Sequence, residues 1–510
     1  MLINNISFRS FSYMMFVILS NLITGCASYA PAGRNVSPDI QGQTGSHFQN
    51  SFIEPDQVDN STRRSKSVES GVSLAVKTIW VDPIVRPAST LKAFYGLTIK
   101  SAGSFLERTF IAKVRFPLLE RKPIPELSNS KPMDLEAWEL ELDELAVRKP
   151  SSGEINFHID GEEYFNRLNT VFEAADQSID IRTYIFDNDD VALQVADLLR
   201  KKSIGVEVKV LVDGLADVFA TRLDPHSMPD DVILPSSISS YLTYASKVKF
   251  RKQSNPWFTG DHVKITIVDQ DLAFVGGMNI GREYRYDWHD LMMEVEGPIV
   301  KRLQYEFDLA WAKAGIFGDY AWLAQALIAD TAEDSGGAYP IRILKTSIHD
   351  SELYRVQVAA IRRARQYIYI ENTYFSDDKI LFELAMARRR GVDVRVILSA
   401  NGDSAILNLS NQKAINSMLR NGIRVYSYPG MTHVKAAVYD GWICLGSANF
   451  DKLSLQVNQE INLGTSHPAV VNSLLERLFY PDFSISDELH DPLPMAARHH
   501  FAEFIADELL

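Results

Sequence analysis

A pattern of histidine, lysine and aspartate occurs twice in the chain with the same spacing. The copies HVKITIVD and HVKAAVYD contain His262, Lys264 and Asp269 in the first, and His433, Lys435 and Asp440 in the second. Each copy is followed by a turn of small residues that ends in asparagine, at Asn279 and at Asn449. Because spacing and turn are both repeated, the pattern predicts two half-sites that form one composite site.

These residue types suit chemistry on a phosphoryl group. Histidine is a nucleophile when neutral and a proton donor when charged, and its ordinary pKa of about 6.5 allows both forms. Lysine and asparagine donate hydrogen bonds to an oxyanion. The alternative is an ordinary half-exposed strand, on which His262 and Lys264 merely share one face. The repetition favours the chemical interpretation.

The duplicated pattern resembles the signature of the phospholipase D superfamily over about residues 155 to 480. The segments SIDIRTYIFDND (178–189) and QYIYIENTYFSDD (366–378) are similar to the strand that opens each half. GGMNIGREY (276–284) and DLMMEVEGPIV (290–300) resemble bacterial cardiolipin synthases and their phospholipase relatives. The resemblance implies a covalent phosphohistidine, with His262 as nucleophile and His433 as acid. The symmetry of the motifs leaves that assignment open.

Two further acids are expected to orient the histidine rings. Asp290 follows His262 by 28 residues and Glu460 follows His433 by 27, and the resemblance places an orienting acid at these positions. Glu294 is a rival for Asp290, because alternate strand residues face the same way, and both acids could instead be surface residues. Asp269 and Asp440 are expected to brace turns through backbone hydrogen bonds.

The sequence predicts no metal site and no cofactor. Phosphohistidine chemistry requires neither. The one histidine beside a candidate acid, His289, has no other ligand close to it in the sequence.

Strands alternate with helices in both halves. Apolar spacing predicts helices over 161–175, 191–202, 351–365 and 379–390. The segments 205–214 and 391–402 resemble the second strand of each half in the family. This order predicts an α/β fold of two similar sandwich lobes, mixed sheets flanked by helices, with the active site at their interface. We expect the lobes to span 154–330 and 331–510, after an accessory region at 76–153.

The amino-terminal segment has the features of a targeting signal. Residues 11–23 are mostly apolar and uncharged, and they end in LITGC, which resembles a bacterial lipobox. The resemblance implies a signal peptide over 1–25, a lipid on Cys26, a tether over 26–75, and attachment to the periplasmic face of the outer membrane. An uncleaved membrane helix is the alternative, but the stretch is shorter than the roughly 20 residues that span a bilayer.

The cationic amphipathic stretch at 91–116 either packs on the lobes as a helix or lies on a membrane surface.

The formal net charge is −13, from 65 acidic and 52 basic residues, which argues against a nucleic-acid partner. A phospholipid substrate at a membrane surface is therefore expected.

The predicted function is phosphatidyl transfer to an alcohol, of the cardiolipin synthase type. A phospholipase D hydrolase, a nuclease of the same superfamily and an inactive binding lipoprotein are the alternatives. The last would be expected if one motif were degraded, and both are intact.

Overall fold

The computed structural model describes residues 76–216, 227–229, 232–327 and 339–495. The expected signal peptide, Cys26 and the tether lie outside these residues. Within the described ranges, no helix has both the length and the apolar character needed to cross a membrane.

One sheet of fifteen strands runs through both halves of the described chain. The strands of the first half are β1 (Ser151–Ile159), β2 (Ser178–Thr183), β3 (Glu207–Asp213), β4 (Lys249–Gln253), β5 (Ile265–Val268), β6 (Leu272–Gly276) and β7 (Leu291–Glu296). Those of the second half are β8 (Tyr339–Thr346), β9 (Tyr367–Asn372), β10 (Asp393–Ser399), β11 (Arg424–Tyr428), β12 (Lys435–Tyr439), β13 (Trp442–Gly446), β14 (Glu460–Thr465) and β15 (Asp487–Leu489).

The two halves have the same strand order. The first reads β1-β7-β6-β5-β2-β3-β4 and the second reads β8-β14-β13-β12-β9-β10-β11, with β15 added at the edge. In each half two neighbouring pairs are parallel and the rest are antiparallel. Strands β1 and β8 pair with each other, so the halves share a continuous sheet. The predicted α/β fold with mixed sheets flanked by helices is confirmed.

Helices cover the sheet at the positions that the apolar spacing predicts. The four predicted helices are Asp160–Ala174, Asp190–Lys202, Glu352–Arg363 and Asp378–Arg389. Two of them begin with equivalent caps, because Asp189 accepts from the Ala192 amide and Asp377 accepts from the Ile380 amide. The other α-helices are Asp82–Val85, Pro87–Phe110, Phe116–Glu120, Leu135–Leu145, Ile238–Thr243, Pro298–Ala314, Gly318–Ala326, Ala405–Arg420, Lys452–Gln456, Pro468–Leu474 and Tyr480–Ile485.

The helix Pro87–Phe110 packs on both halves of the sheet-forming chain. Its Ala93 is buried, the ring of Phe94 lies 5.3 Å from that of Trp257, and the Lys100 ammonium donates to the Ser347 carbonyl. For the stretch that begins at residue 91, these contacts favour packing on the lobes over lying on a membrane surface. Leu91 and Tyr95 remain exposed on the same helix.

The core between the halves lies beneath their junction. Ile265 and Val295 of the first half belong to the same buried cluster as Ala436 and Leu463 of the second. Apolar strand faces from both halves therefore fix the position of the segments that precede β5 and β12.

Candidate active site

Both repeated histidines lie just before a strand, where the halves meet. The sequence places His262 on a strand, but β5 begins only at Ile265, and β12 likewise begins at Lys435 rather than at His433. The His262 amide donates to the Gln459 carbonyl at 2.9 Å, and the His433 amide donates to the His289 carbonyl at 2.6 Å. Each histidine is thus anchored to the backbone of the opposite half.

The two orienting acids are exchanged between the halves. Nδ1 of His262 lies 3.0 Å from Glu460 Oε1, and Nδ1 of His433 lies 2.6 Å from Asp290 Oδ2. Glu294, the rival for Asp290, instead binds His158 and Arg167 at 2.7 Å and 2.6 Å. In both rings Nε2 is left as the nitrogen that can meet a substrate.

Small residues beside the acids make room for them. A Cβ on Gly277 would lie 2.3 Å from Asp290 Oδ1, so only glycine fits there. The second half has Ser447 at the equivalent place, and its hydroxyl donates to Glu460 Oε2 at 2.5 Å. The Ser447 carbonyl also accepts from His262 Nδ1 at 3.1 Å. Because a carbonyl can only accept, the proton of neutral His262 lies on Nδ1 and the lone pair on Nε2.

Burial shifts the protonation of all four groups. It lowers the pKa of both histidines well below the ordinary value, and the Lys264 and Lys435 cations lower it further. Burial also raises the pKa of Asp290 to about 7 and that of Glu460 to about 8, against the opposing lysine charges. Because both lysines act on both histidines, these residues share one electrostatic site.

The lysines occupy equivalent positions. Lys264 Nζ donates to the His262 carbonyl at 2.8 Å, and Lys435 Nζ donates to the His433 carbonyl at 2.6 Å. Both side chains are buried, which lowers the pKa of Lys264 to about 7 and that of Lys435 to about 8. A bound anion between them would restore their charge, so the pair is suited to a phosphoryl group.

The two asparagines present different atoms. Asn279 Oδ1 accepts from the Ile185 amide at 3.0 Å and from the Thr183 hydroxyl at 3.2 Å, which turns its amino group away from these partners. Asn449 Oδ1 is buried and has no hydrogen-bond partner among the described residues. The Asn449 side chain therefore has an acceptor that no described residue uses.

The aspartates of the repeated motif lie in turns away from the histidines. Asp269 accepts from the amides of residues 176, 177 and 178, and Asp440 accepts from those of residues 133, 365, 366 and 367. Both adopt positive φ angles, 53° and 48°, in the turn after the strand. These hydrogen bonds brace the hairpins that follow the repeated histidines and lysines.

Several side chains around the histidines were missed from the sequence. Tyr184 meets the His262 ring at 4.7 Å, whereas Tyr284 and Trp288 meet the His433 ring at 5.5 Å and 5.3 Å. The pKa of Glu283, next to Tyr284, is raised to about 8, chiefly by burial. The negative charges of neighbouring acids add to this rise, and Asp403 has the largest effect among them. The segment GGMNIGREY contains Glu283 and Tyr284, and SIDIRTYIFDND contains Tyr184, so the resemblance of these segments to the family was the available signal.

A second group of titratable side chains lies directly behind Asp290. His289, Glu371 and Asp482 are buried, and one ligand atom from each lies within 4.8 Å of the others. Their separation in the chain, 193 residues between His289 and Asp482, hides the group from a reading of local spacing. These three residues could hold a metal ion.

The sequence family described as cardiolipin synthase, PLD-like domain, matches residues 168–311 and 358–480, just over half of the chain. The chain belongs to this phospholipase D-like family. The first matched stretch contains His262 and Asp290, the acid paired with His433. The second contains His433 and Glu460, the acid paired with His262.

Curated members of the phospholipase D-like family agree with this match. The probable cardiolipin synthase YwiE of Bacillus subtilis is 29% identical over 350 residues, which are 64% of this chain and 66% of that protein. Cardiolipin synthase A of Pseudomonas entomophila is 28% identical over 358 residues, 66% of this chain and 70% of that one. The chain thus spans about two thirds of the length of these relatives.

A solved structure supports the same fold. The phosphatidylserine synthase of Haemophilus influenzae superposes with a TM-score of 0.58 at 13% identity, and the superposition covers 73% of this chain and 100% of that one. The fold of this phospholipase D-like protein is therefore shared with that synthase.

Proposed function

We propose that this protein is a phosphatidyltransferase of the cardiolipin synthase type, which moves a phosphatidyl group from a phospholipid to an alcohol through a phosphohistidine. The observation that carries the proposal is the pair of buried histidines, each held through Nδ1 by a carboxylate of the opposite half. Two rings with free Nε2 atoms beside two lysines provide a nucleophile, a proton donor and cations in one site.

In the first step, His262 Nε2 attacks phosphorus and the bond from phosphorus to the headgroup oxygen breaks. His433, as imidazolium, gives its proton to that departing oxygen. Lys264 and Lys435 stabilise the charge on the non-bridging phosphoryl oxygens, and Glu460 stabilises the cationic phosphohistidine through Nδ1. The incoming phosphodiester anion favours protonation of His433, which opposes the lowering of its pKa in the free protein.

In the second step, neutral His433 accepts the proton of an incoming hydroxyl, whose oxygen attacks phosphorus. The bond between phosphorus and His262 Nε2 then breaks, and both histidines return to their starting forms. An alcohol acceptor gives a new phosphodiester, and water gives phosphatidic acid. A transferase therefore differs from a hydrolase in that its second step uses an alcohol and excludes water.

We infer that Glu283 lies on the acceptor side of the site. It precedes Tyr284, whose ring contacts His433, the residue that takes the acceptor proton. The structure shows no hydrogen bond or ion pair for the Glu283 side chain within the described chain, and its pKa of about 8 reflects burial beside other acids. A carboxyl group placed there can bind the hydroxyl groups of a polyol acceptor such as glycerol.

Purified protein incubated with labelled phosphatidylglycerol tests the proposal. The expected products are cardiolipin and glycerol. His158→Gln is the matched control for His262→Gln and His433→Gln, because His158 forms an equivalent carboxylate pair with Glu294 outside the site. Phosphatidic acid as the sole product would replace the transferase by a hydrolase. No lipid turnover by the wild type would remove both.

The remaining alternatives have less support. A nuclease would need to attract a polyanion, whereas the chain carries a net charge of −13 and Glu283 and Asp403 add acids near the site. An inactive binding protein has no need for two intact half-sites. Turnover of lipid, and no cleavage of single-stranded DNA, is the expected result when both substrates are offered.

We also propose that Cys26 carries a lipid that holds the enzyme at the periplasmic face of the outer membrane. The lipobox resemblance supports this placement, as do the exposed Trp80, Ile84 and Leu91 at the start of the described chain. The proposal predicts that Cys26→Ser releases the protein from the membrane fraction. Retention of the variant in that fraction would contradict lipid anchoring.

A further inference from the structure

Behind the second half-site lies a buried group of one histidine and two acids. His289 Nε2 lies 3.0 Å from Asp482 Oδ2 and 3.8 Å from Glu371 Oε1. Nδ1 of the same ring lies 2.6 Å from Asp160 Oδ1, and the Thr432 hydroxyl donates to Glu371 Oε1 at 2.6 Å. The second oxygen of Glu371 is buried and has no hydrogen-bond partner among the described residues.

The equivalent place in the first half contains a fixed cation. Arg182 pairs with Ile265 in β2 and β5, as Glu371 pairs with Ala436 in β9 and β12, and Ile265 and Ala436 each follow a catalytic lysine. The Arg182 guanidinium binds both oxygens of Asp261, the residue before His262, at 2.6 Å and 3.0 Å. It also reaches Gln459, the residue before Glu460.

The second half repeats this geometry with the charge inverted. Glu371 contacts Thr432, the residue before His433, and faces His289, the residue before Asp290. Within the described chain, no lysine or arginine forms an ion pair with Glu371 or Asp482. Two facing buried carboxylates therefore have only the His289 ring as a counter-charge, and Asp160 adds a third acid on its far side.

Such a group requires protons or a cation to exist in a buried position. A divalent ion satisfies the same requirement. It also uses the orphaned oxygen of Glu371.

We propose that His289, Glu371 and Asp482 form a binding site for a divalent transition-metal ion of the zinc class. One imidazole and two carboxylates are ligands that zinc accepts, and its bonds of about 2.0–2.2 Å place tetrahedral ligand atoms about 3.3–3.6 Å apart. The ligand atoms here lie 3.0 Å and 3.8 Å from His289 Nε2. Asp160 on Nδ1 completes the carboxylate–histidine–metal arrangement that is typical of such sites.

The ion would join the two halves behind His433. It would be held by His289 of the first half and by Glu371 and Asp482 of the second. Asp290 follows His289 in the chain, and Thr432, the residue before His433, donates to Glu371. Binding requires a neutral His289 with its lone pair on Nε2 and two ionised carboxylates, so any protons on these ligand atoms are released to solution. The site has a structural, positioning role, in which the ion contacts no substrate and replaces the cation that Arg182 supplies in the first half.

Metal content and thermal stability test this site without any lipid. The full-length protein is purified without a polyhistidine tag, and its metal content is measured by mass spectrometry. About one zinc ion per chain is expected, and Glu371→Gln and Asp482→Asn are each expected to lose it by about tenfold or more. Asp261→Asn, which breaks the first-half pair, is the matched control and is expected to retain the ion.

Melting of chelator-treated protein supplies the second measurement. Added Zn²⁺ is expected to raise the melting temperature of the wild type. Mg²⁺ added to the wild type, and Zn²⁺ added to Glu371→Gln, are each expected to give no rise. Zinc below about 0.1 equivalents together with no rise on adding Zn²⁺ would overturn the proposal. A Glu371→Gln variant that melts at or above the wild type in the presence of Zn²⁺ would also overturn it, because Glu371 would then contribute no bond to a stabilising ion.

Discussion

The two half-sites have the same motif but hold their histidines differently. His262 meets both oxygens of Glu460, at 3.0 Å and 3.2 Å, and the Ser447 carbonyl, whereas His433 meets only Asp290, at 2.6 Å. The His262 ring contacts one aromatic side chain and the His433 ring contacts two. A duplicated sequence has therefore produced two unequal environments.

The difference indicates a division of labour. The Ser447 carbonyl fixes the proton of His262 on Nδ1 and leaves a lone pair on Nε2, as a nucleophile requires. His433 has a single acidic partner at short distance and two aromatic rings, which can stabilise the imidazolium once a bound phosphodiester anion opposes the lowering of its pKa. The environment thus supports the roles that the family resemblance implies, with His262 as nucleophile and His433 as acid.

The largest effect is expected from the histidines, and the leaving group distinguishes them. His262→Gln and His433→Gln should each reduce phosphatidyl transfer from phosphatidylglycerol by about 10³-fold or more. With a phosphatidyl p-nitrophenol donor, whose leaving group needs no proton, His433→Gln should still release a burst of nitrophenol. His262→Gln should release none. A burst from His262→Gln alone would reverse the two roles.

The lysines are expected to have the next largest effect, and a similar one in both halves. Lys264→Met and Lys435→Met should each lower kcat by about 10²-fold, because each removes a buried cation that faces the phosphoryl oxygens. Lys249→Met, which removes a surface cation paired with Glu207, is the matched control and should leave kcat unchanged. A large difference between the two catalytic lysines, measured with saturating donor, would contradict their equivalence.

Asp290→Asn and Glu460→Gln are expected to lower activity by about 10–100-fold while changing how stability depends on pH. The folded-state pKa of Asp290 is about 7, above the unfolded value, so its contribution to stability falls as pH rises from about 4 and is lost above about 7. Asparagine removes that decline. The melting temperature of the variant relative to the wild type should therefore increase between pH 5 and pH 8, roughly the titration range of the buried acid.

Asp269→Asn provides the control of opposite sign. Backbone hydrogen bonds hold the pKa of Asp269 below its ordinary value despite partial burial, so its contribution to stability is present above the unfolded pKa and is lost as pH falls. This variant should lose stability relative to the wild type as pH rises. Equal pH profiles for Asp290→Asn and Asp269→Asn would show that the acid behind His433 is not buried as described.

The smallest effect is expected at the acceptor side. Glu283→Gln should raise KM for an added alcohol about tenfold or less and shift the products towards phosphatidic acid, because water needs no hydroxyl-binding carboxyl group. Asp319→Asn is the matched control, because the Asp319 carboxylate accepts from the Ser89 amide in the accessory region. An unchanged ratio of cardiolipin to phosphatidic acid in Glu283→Gln would remove the acceptor role.

Local spacing predicted the elements and the repeated residues well, but it could not predict partners across the halves. The helix predicted over 161–175 from apolar periodicity spans Asp160–Ala174 in the structure. The exchange of Asp290 and Glu460 depends on how β1 joins β8, which no local pattern encodes. For the same reason the sequence dismissed His289 as isolated, whereas the fold brings Glu371 and Asp482 to it.

Trapping the covalent intermediate tests the division between the half-sites most directly. The enzyme is mixed briefly with donor labelled on phosphorus, quenched in alkali, digested and sequenced by mass spectrometry. The unequal environments predict label on the peptide that contains His262, with increased label in His433→Gln when a nitrophenol donor is used. Label on His433, or no phosphohistidine at all, would contradict the account.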